Sequence, residues 1–152
     1  IWPKSSDIDH IIDRTTGSLM FTTTVMPRFY ETDAFGHVNN TVVGGWFETA
    51  REPIFRIFSP GMDIRQLSLI LARTEVDFIG QIHYGSEVTL NTSIERLGNS
   101  SFVVLHEAWQ GGVCVARGKA VQVAFDFATQ KSQPLSETQR LALAAHLAQL
   151  RQ

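Results

Sequence analysis

Arg28-Phe29-Tyr30-Glu31-Thr32-Asp33-Ala34-Phe35-Gly36-His37-Val38-Asn39-Asn40 changes character twice within thirteen residues. A β-type run, Phe21-Thr22-Thr23-Thr24-Val25-Met26, leads into it, and an apolar pattern of helical spacing begins near Thr41. Between strand and helix stand acids, a glycine, a histidine and two asparagines. A helix start leaves backbone N–H groups without partners, and these attract negative charge. A carboxylate held beside such N–H groups is raw material for hydrolytic chemistry.

Downstream, Val43, Trp46, Phe47, Ala50, Ile54 and Phe58 follow the i, i+3, i+4 spacing of an amphipathic helix. Pro53 removes an N–H and clashes one turn back, which predicts a kink or break near Glu52. Upstream, residues 19–29 read as a first strand, with a bend or sheet edge at Pro27. Residues 1–18 read as an extension laid on the domain, partly helical.

Beyond Ser59-Pro60-Gly61 the pattern turns to strands. Val88, Leu90, Thr92 and Ile94 point to one side of a strand over 87–96. Gly98-Asn99-Ser100 predicts a hairpin turn into a strand over 102–109, and Gly111-Gly112 a second turn. A third strand over 113–127 carries apolar residues at 113, 115, 121, 123, 125 and 127. Ser136, with Gln139 three residues on, caps a last helix expected over 135–152 on Leu141, Ala144, Ala145 and Leu147. Strand, helix, several antiparallel strands and helix make an α+β chain rather than a βαβ repeat.

The 152 residues fit one domain, 1–152, long enough to bury a sizeable core. Hydrophobic residues at 43% and charged residues at 18% fit a folded soluble chain. A net charge of −2 without a basic stripe argues against a nucleic-acid module. One cysteine, Cys114, rules out an internal disulfide framework and fits a reducing cytoplasm. No apolar run approaches the ~20 residues of a membrane span, and no signal peptide is visible.

Asp33, Gly36-His37-Val38-Asn39-Asn40 and Glu48-Thr49-Ala50-Arg51 resemble the hotdog-fold thioesterases of the 4-hydroxybenzoyl-CoA thioesterase-like group. Glu31 stands at the first acid of that group's acidic pair. The resemblance continues through Ala72-Arg73-Thr74-Glu75-Val76-Asp77-Phe78, Gly85-Ser86-Glu87-Val88, Leu97-Gly98-Asn99-Ser100-Ser101 and Phe125-Asp126, over about residues 20–147. It implies a hotdog fold, a curved antiparallel sheet wrapped around a long central helix. It also implies an acyl-CoA thioesterase working as a homodimer or homotetramer, with active sites between subunits.

By that resemblance Asp33 is the base or nucleophile, and the Asn40 backbone N–H is the oxyanion donor. Read from the residues alone, Asp33 equally suits an Asx turn and Asn40 a helix cap. His37 can polarise the substrate, orient water or bond Asp33, or serve as a turn histidine. Plant acyl-ACP thioesterases carry Asp-Val-Asn-Gln-His here; Phe35 replaces that Asn, which shifts weight to Asp33 acting with the helix terminus. Glu48 and Arg51 are spaced for an ion pair on one helix face. The matching acid in related enzymes reaches the acyl end of the pocket, so Glu48 is also a substrate-binding candidate. Val43-Gly44-Gly45 departs from the family's aromatic, and suggests close subunit packing or a wider acyl channel. Arg73, Arg96, Arg117, Lys119, Ser100 and Ser101 are candidate contacts for coenzyme A.

A thioester needs no strong base, because the thiolate leaves readily, and no metal or organic cofactor is expected. Asp7-x-Asp9-His10 is set aside as a metal cluster for want of a second ligand set. No Gly-x-Ser-x-Gly, Gly-x-Gly-x-x-Gly or phosphate-loop motif occurs. Cys114 reads as a small buried hydrophobe. The other readings are an acyl-ACP thioesterase, a hotdog hydratase or dehydratase, and a hotdog that binds acyl thioesters without turnover.

Overall fold

The computed structural model describes residues 9–12, by their backbone, and residues 19–148. The strands are β1 (Asp9–Ile12), β2 (Leu19–Val25), β3 (Leu69–Phe78), β4 (Val88–Leu97), β5 (Ser101–Gln110), β6 (Val113–Asp126) and β7 (Lys131–Ser132). The helices are α1 (Asn40–Ala50), α2 (Glu52–Phe58) and α3 (Glu137–Ala144). The sheet runs β1-β2-β4-β5-β6-β3, antiparallel throughout, with β7 paired to β6. Register shifts at Leu71/Arg73, Ile94/Arg96 and Ala108/Trp109 bend the strands. The chain has the hotdog fold, α+β, with the helix over the concave face of the sheet.

The expected break at Pro53 is present. α1 stops at Ala50, and α2 starts at Glu52 with Pro53 in its first turn, where a missing N–H is harmless. Val43, Trp46, Phe47 and Ala50 pack on Val88, Leu90, Ala108 and Ala116. Ile54 belongs to a second cluster with Phe21, Ile94, Phe102, Val104 and Leu143.

Strand β6 reveals how the helix comes so close. Its buried phase is Ala116, Gly118, Ala120, Gln122 and Ala124, while Val121 and Val123 on the opposite phase are half-buried. A Cβ on Gly118 would lie 2.6 Å from Phe47 Cε2. The small residues, not the branched ones, face α1.

Three boundaries differ from expectation. Within the extension, Asp9–Ile12 is a strand on β2, not helix, and residues 1–8 and 13–18 lie outside the described residues. The first strand ends at Val25, before Pro27, and the chain makes a 3-10 turn at Phe29–Glu31. The last helix ends at Ala144 rather than reaching the chain end; residues 149–152 lie outside the described residues. Leu141 is exposed, and Leu143 carries the packing. The bulge beside Ile94 explains this: Ile94 N donates to His146 O at 2.8 Å, and Ala148 N donates to Ile94 O at 2.7 Å. The chain after α3 is drawn into extended pairing.

The capping box is formed as expected, with Gln139 N donating to Ser136 Oγ at 3.1 Å and Ser136 N to Gln139 Oε1 at 2.9 Å. Ser136→Ala is expected to lower the unfolding free energy by ~1 kcal/mol. Urea titration of the two proteins checks it.

Candidate active site

Residues 33–38 form a tight loop ahead of α1. Thr32 and Val38 bridge, Asp33 N donates to His37 O at 2.7 Å, and Gly36 adopts φ +77°, which favours glycine. Asp33 Oδ1 accepts from Phe35 N at 2.8 Å and His37 N at 3.1 Å. Asp33 is therefore an Asx-turn residue, and its Oδ2 receives no hydrogen bond from any described residue. The carboxylate is exposed.

A second loop braces the first. Val38 N donates to Ile82 O at 2.7 Å and Tyr84 N to Gly36 O at 3.2 Å. His37 and His83 bridge, with ring centroids 5.1 Å apart at 71°. Gln110, buried at the end of β5, accepts from His83 N at 2.8 Å and donates to His83 O and Ser86 O at 2.9 and 3.0 Å. No local pattern pointed to His83 or Gln110, because their partners lie 46 and 27 residues away.

Glu31 ties the loop to the helix. Its buried carboxylate accepts from Arg28 N at 2.8 Å and from Trp46 Nε1 at 3.1 Å. Asn39, not Asn40, caps α1, accepting from Thr41 N at 3.0 Å. Asn40 is the first helical residue, and its N–H has no acceptor among the described residues. Asn40 lines a cleft of about 360 Å³ with Val38, Val43, Phe78, Gly80 and Ile82.

Glu48 and Arg51 are not paired: no oxygen of Glu48 lies within 4.0 Å of the guanidinium. Spacing made them neighbours, but Arg51 stands at the α1–α2 junction and turns inward, while Glu48 stays exposed. Arg51 is 3% exposed, and its Nη1 lies 3.3 Å from His106 Nε2. The Gln122 carboxamide is satisfied when its oxygen accepts from Arg51 Nε at 3.3 Å and its nitrogen donates to Ile70 O at 3.2 Å. A guanidinium only donates, so His106 Nε2 accepts, and Nδ1–H donates to Thr92 Oγ1 at 2.9 Å. The His106 ring stacks on Phe47 at 4.8 Å. The readable signal was a polar residue in the middle of the core phase of each of β4, β5 and β6: Thr92, His106 and Gln122.

Burial first, then the Arg51 charge, holds His106 well below its usual 6.5; burial likewise lowers Arg51, opposed by Glu48. The folded state therefore keeps His106 neutral at pH values where the unfolded chain protonates it. Its contribution is complete above about pH 6.5 and falls as pH drops toward the lower folded value. Unfolding free energy is expected to decline between pH 7 and 5 through this residue, by no more than the ~2 kcal/mol that an unfolded-state value of 6.5 allows. Urea titrations of wild type and His106→Gln at both pH values check it, the variant losing that part of the slope.

The remaining candidates are scattered. Arg117 is exposed on β6, opposite Asp77 of β3 and Glu107 of β5, and is not among the residues that line the first cleft. Arg73 sits mid-strand on β3, 3.3 Å from Glu75, and Lys119 binds Glu95 at 2.7 Å. Ser100 and Ser101 close the β4–β5 hairpin, which within one chain is the opposite end of these strands from Gln110 and His83. Ten residues of strand put that hairpin about 30 Å from the Asp33 loop. Burial and then Glu107 raise the Cys114 thiol, consistent with an inert side chain. Asp7, Asp9 and His10 have no described side chains; among the described residues no three His, Cys, Asp or Glu are grouped to hold a metal ion. No helix among them is long and apolar enough to cross a membrane.

Similar proteins carry the same fold. A Bacillus stearothermophilus structure, described as a predicted thioesterase, is 42% identical with a TM-score of 0.84, over 87% of this chain and 99% of that one. A Thermus thermophilus thioesterase, solved with coenzyme A and zinc, is 32% identical with a TM-score of 0.72, over 80% and 95% of the two chains. The uncharacterized Bacillus subtilis protein YsmA is 29% identical over 99 residues, 64% of this chain and 67% of its own. The family model of the thioesterase-like superfamily matches residues 27–143, the span from the Asp33 loop into α3, and the chain belongs to that superfamily.

Proposed function

We propose that the protein is an acyl-CoA thioesterase in which Asp33 assists water attack and the Asn40 N–H receives the oxyanion. One observation carries this reading. Asp33 is fixed through Oδ1 with Oδ2 left open, in the loop that delivers the unpaired first N–H of α1. Water attacks the thioester carbonyl carbon while Oδ2 takes its proton. The carbonyl oxygen gains charge, and the Asn40 N–H stabilises it, a role in which losing one donor costs ~3 kcal/mol. The C–S bond then breaks, coenzyme A leaves as thiolate, and it collects the proton.

His37, braced by His83, orients the attacking water. No metal or organic cofactor is required, because the leaving thiol has a pKa of ~8.5. Coenzyme A as the carrier is supported by the Thermus relative, and the exposed Arg117 is a candidate for its phosphates. A homodimer or dimer of dimers is supported by the free edge of β3 with exposed Leu71, Phe78 and Ile79. A single free cysteine fits a cytoplasmic protein.

Release of free thiol from short, long and aromatic acyl-CoAs tests the reading, with Asp33→Asn beside the wild type. Cleavage by the wild type that the variant loses supports it. Cleavage only of acyl carrier protein thioesters moves the carrier. Tight binding without thiol release leaves a binding protein.

A further inference from the structure

Asn40, Val43, Gly44, Phe47, Glu48 and Arg51 recur at spacings of three and four, one face of α1. The cleft at Asn40 borders residues 78–82. A second cleft, of about 200 Å³, borders Leu71, Thr74 and Val76 of β3, with Arg51 and His106 in its wall. Both therefore follow the seam between α1 and the run from mid-β3 to residue 82. Gly44 lies along it, and a Cβ there would meet nothing within 4 Å.

The far end of this seam holds an unusual charge. Arg51 is 97% buried by its 3% exposure, yet both its partners, His106 and Gln122, are neutral. Its Nη2 has no acceptor among the described residues. Glu48, Glu75 and Lys119 also border this cleft, but Glu75 is engaged by Arg73 and Lys119 by Glu95, and Glu48 is exposed and makes no ion pair with Arg51. A buried guanidinium that meets no carboxylate within 4.0 Å is costly, because Glu48 acts on it only from a distance, and an incoming carboxylate in direct contact would remove that cost.

We infer that the two clefts are one acyl channel, and that its substrates are acyl-CoAs whose far end carries a carboxylate received by Arg51. This rests on the thioesterase reading and names its substrate class. Eleven residues of helix separate Asn40 from Arg51, about 16 Å. Helix side chains lean toward the N-terminus, which shortens the span to about 10 Å. A dicarboxylic half-thioester of about eight carbons matches that length. His106 holds one N–H of Arg51, leaving Nη2 for the substrate.

The experiment compares octanoyl-CoA with the mono-CoA thioester of the eight-carbon diacid. The wild type is expected to favour the carboxylated substrate in kcat/KM by about tenfold or more, the worth of one charge-assisted bond. Arg51→Met is expected to abolish the preference, and Arg51→Lys to restore part of it. Gly44→Leu is expected to lower kcat/KM for both eight-carbon substrates about tenfold, and for acetyl-CoA by much less. Dissociation constants on Asp33→Asn read the same preference without turnover, so a dead wild type sinks the thioesterase reading and not this one. Equal kcat/KM and equal affinity for the two substrates overturn the inference. So does a preference that survives in folded Arg51→Met. If Arg51→Met fails to fold, eight-carbon turnover unaltered by Gly44→Leu overturns the channel.

Discussion

Asp33→Asn is expected to lower kcat by ~100-fold or more on every acyl-CoA that the wild type cleaves, with little change in stability. The geometry makes this substitution unusually clean. Oδ1 accepts the two loop N–H groups of Phe35 and His37, and an asparagine oxygen can accept both. The amide NH2 then replaces only Oδ2, the oxygen assigned to the water. Asp33→Ala removes base and loop brace together, so it is expected to lose both activity and order in residues 33–38. Thiol release with saturating substrate, beside a thermal melt of each variant, separates the two effects. Equal kcat in wild type and Asp33→Asn would remove Asp33 from the chemistry.

Gly118→Ala is expected to destabilise the fold by about 2 kcal/mol, lowering Tm by roughly 4–8 °C. The new Cβ would sit 2.6 and 2.7 Å from Phe47 ring carbons, and 3.3 Å from Glu75 O. Phe47 is not free to move, because its ring is stacked on buried His106 at 4.8 Å. Relief therefore requires α1 to rise from the sheet or the Arg51–His106 contact to loosen. Calorimetric melts of the two proteins decide the matter, and an unchanged Tm would show that Phe47 has room to move.

The elements that announced themselves did so through local chemistry. The alternation over Val88 to Ile94, the Ser136–Gln139 box and the break at Pro53 each depend on residues within one turn or one strand. The Asp33 loop was legible for the same reason, since its acid, glycine and asparagines act on N–H groups a few residues away. Arg51 was misread because spacing on a helix tells which side chains are neighbours, not whether a long one turns inward. The end of α3 was missed because it is set by the free backbone of Ile94, about fifty residues earlier. Placement of Ser100 and Ser101 depends on which end of the sheet the helix starts from, and no local pattern carries that.

The glycines of α1 and of β6 differ in what they leave free. Gly118 is held by the Phe47 ring, and any side chain there disturbs the core. Gly44 and Gly45 face open space, and a Cβ at either meets nothing within 4 Å. Side chains can be added at 44 and 45 without repacking the interior, and in a helix they would even gain ~1 kcal/mol over glycine. Descendants of this sequence can thus redraw the wall beside the helix while the sheet contact beneath it stays fixed. Neighbouring positions on one helix thus differ in tolerance: residue 44 can vary while the Phe47–Gly118 contact beside it cannot.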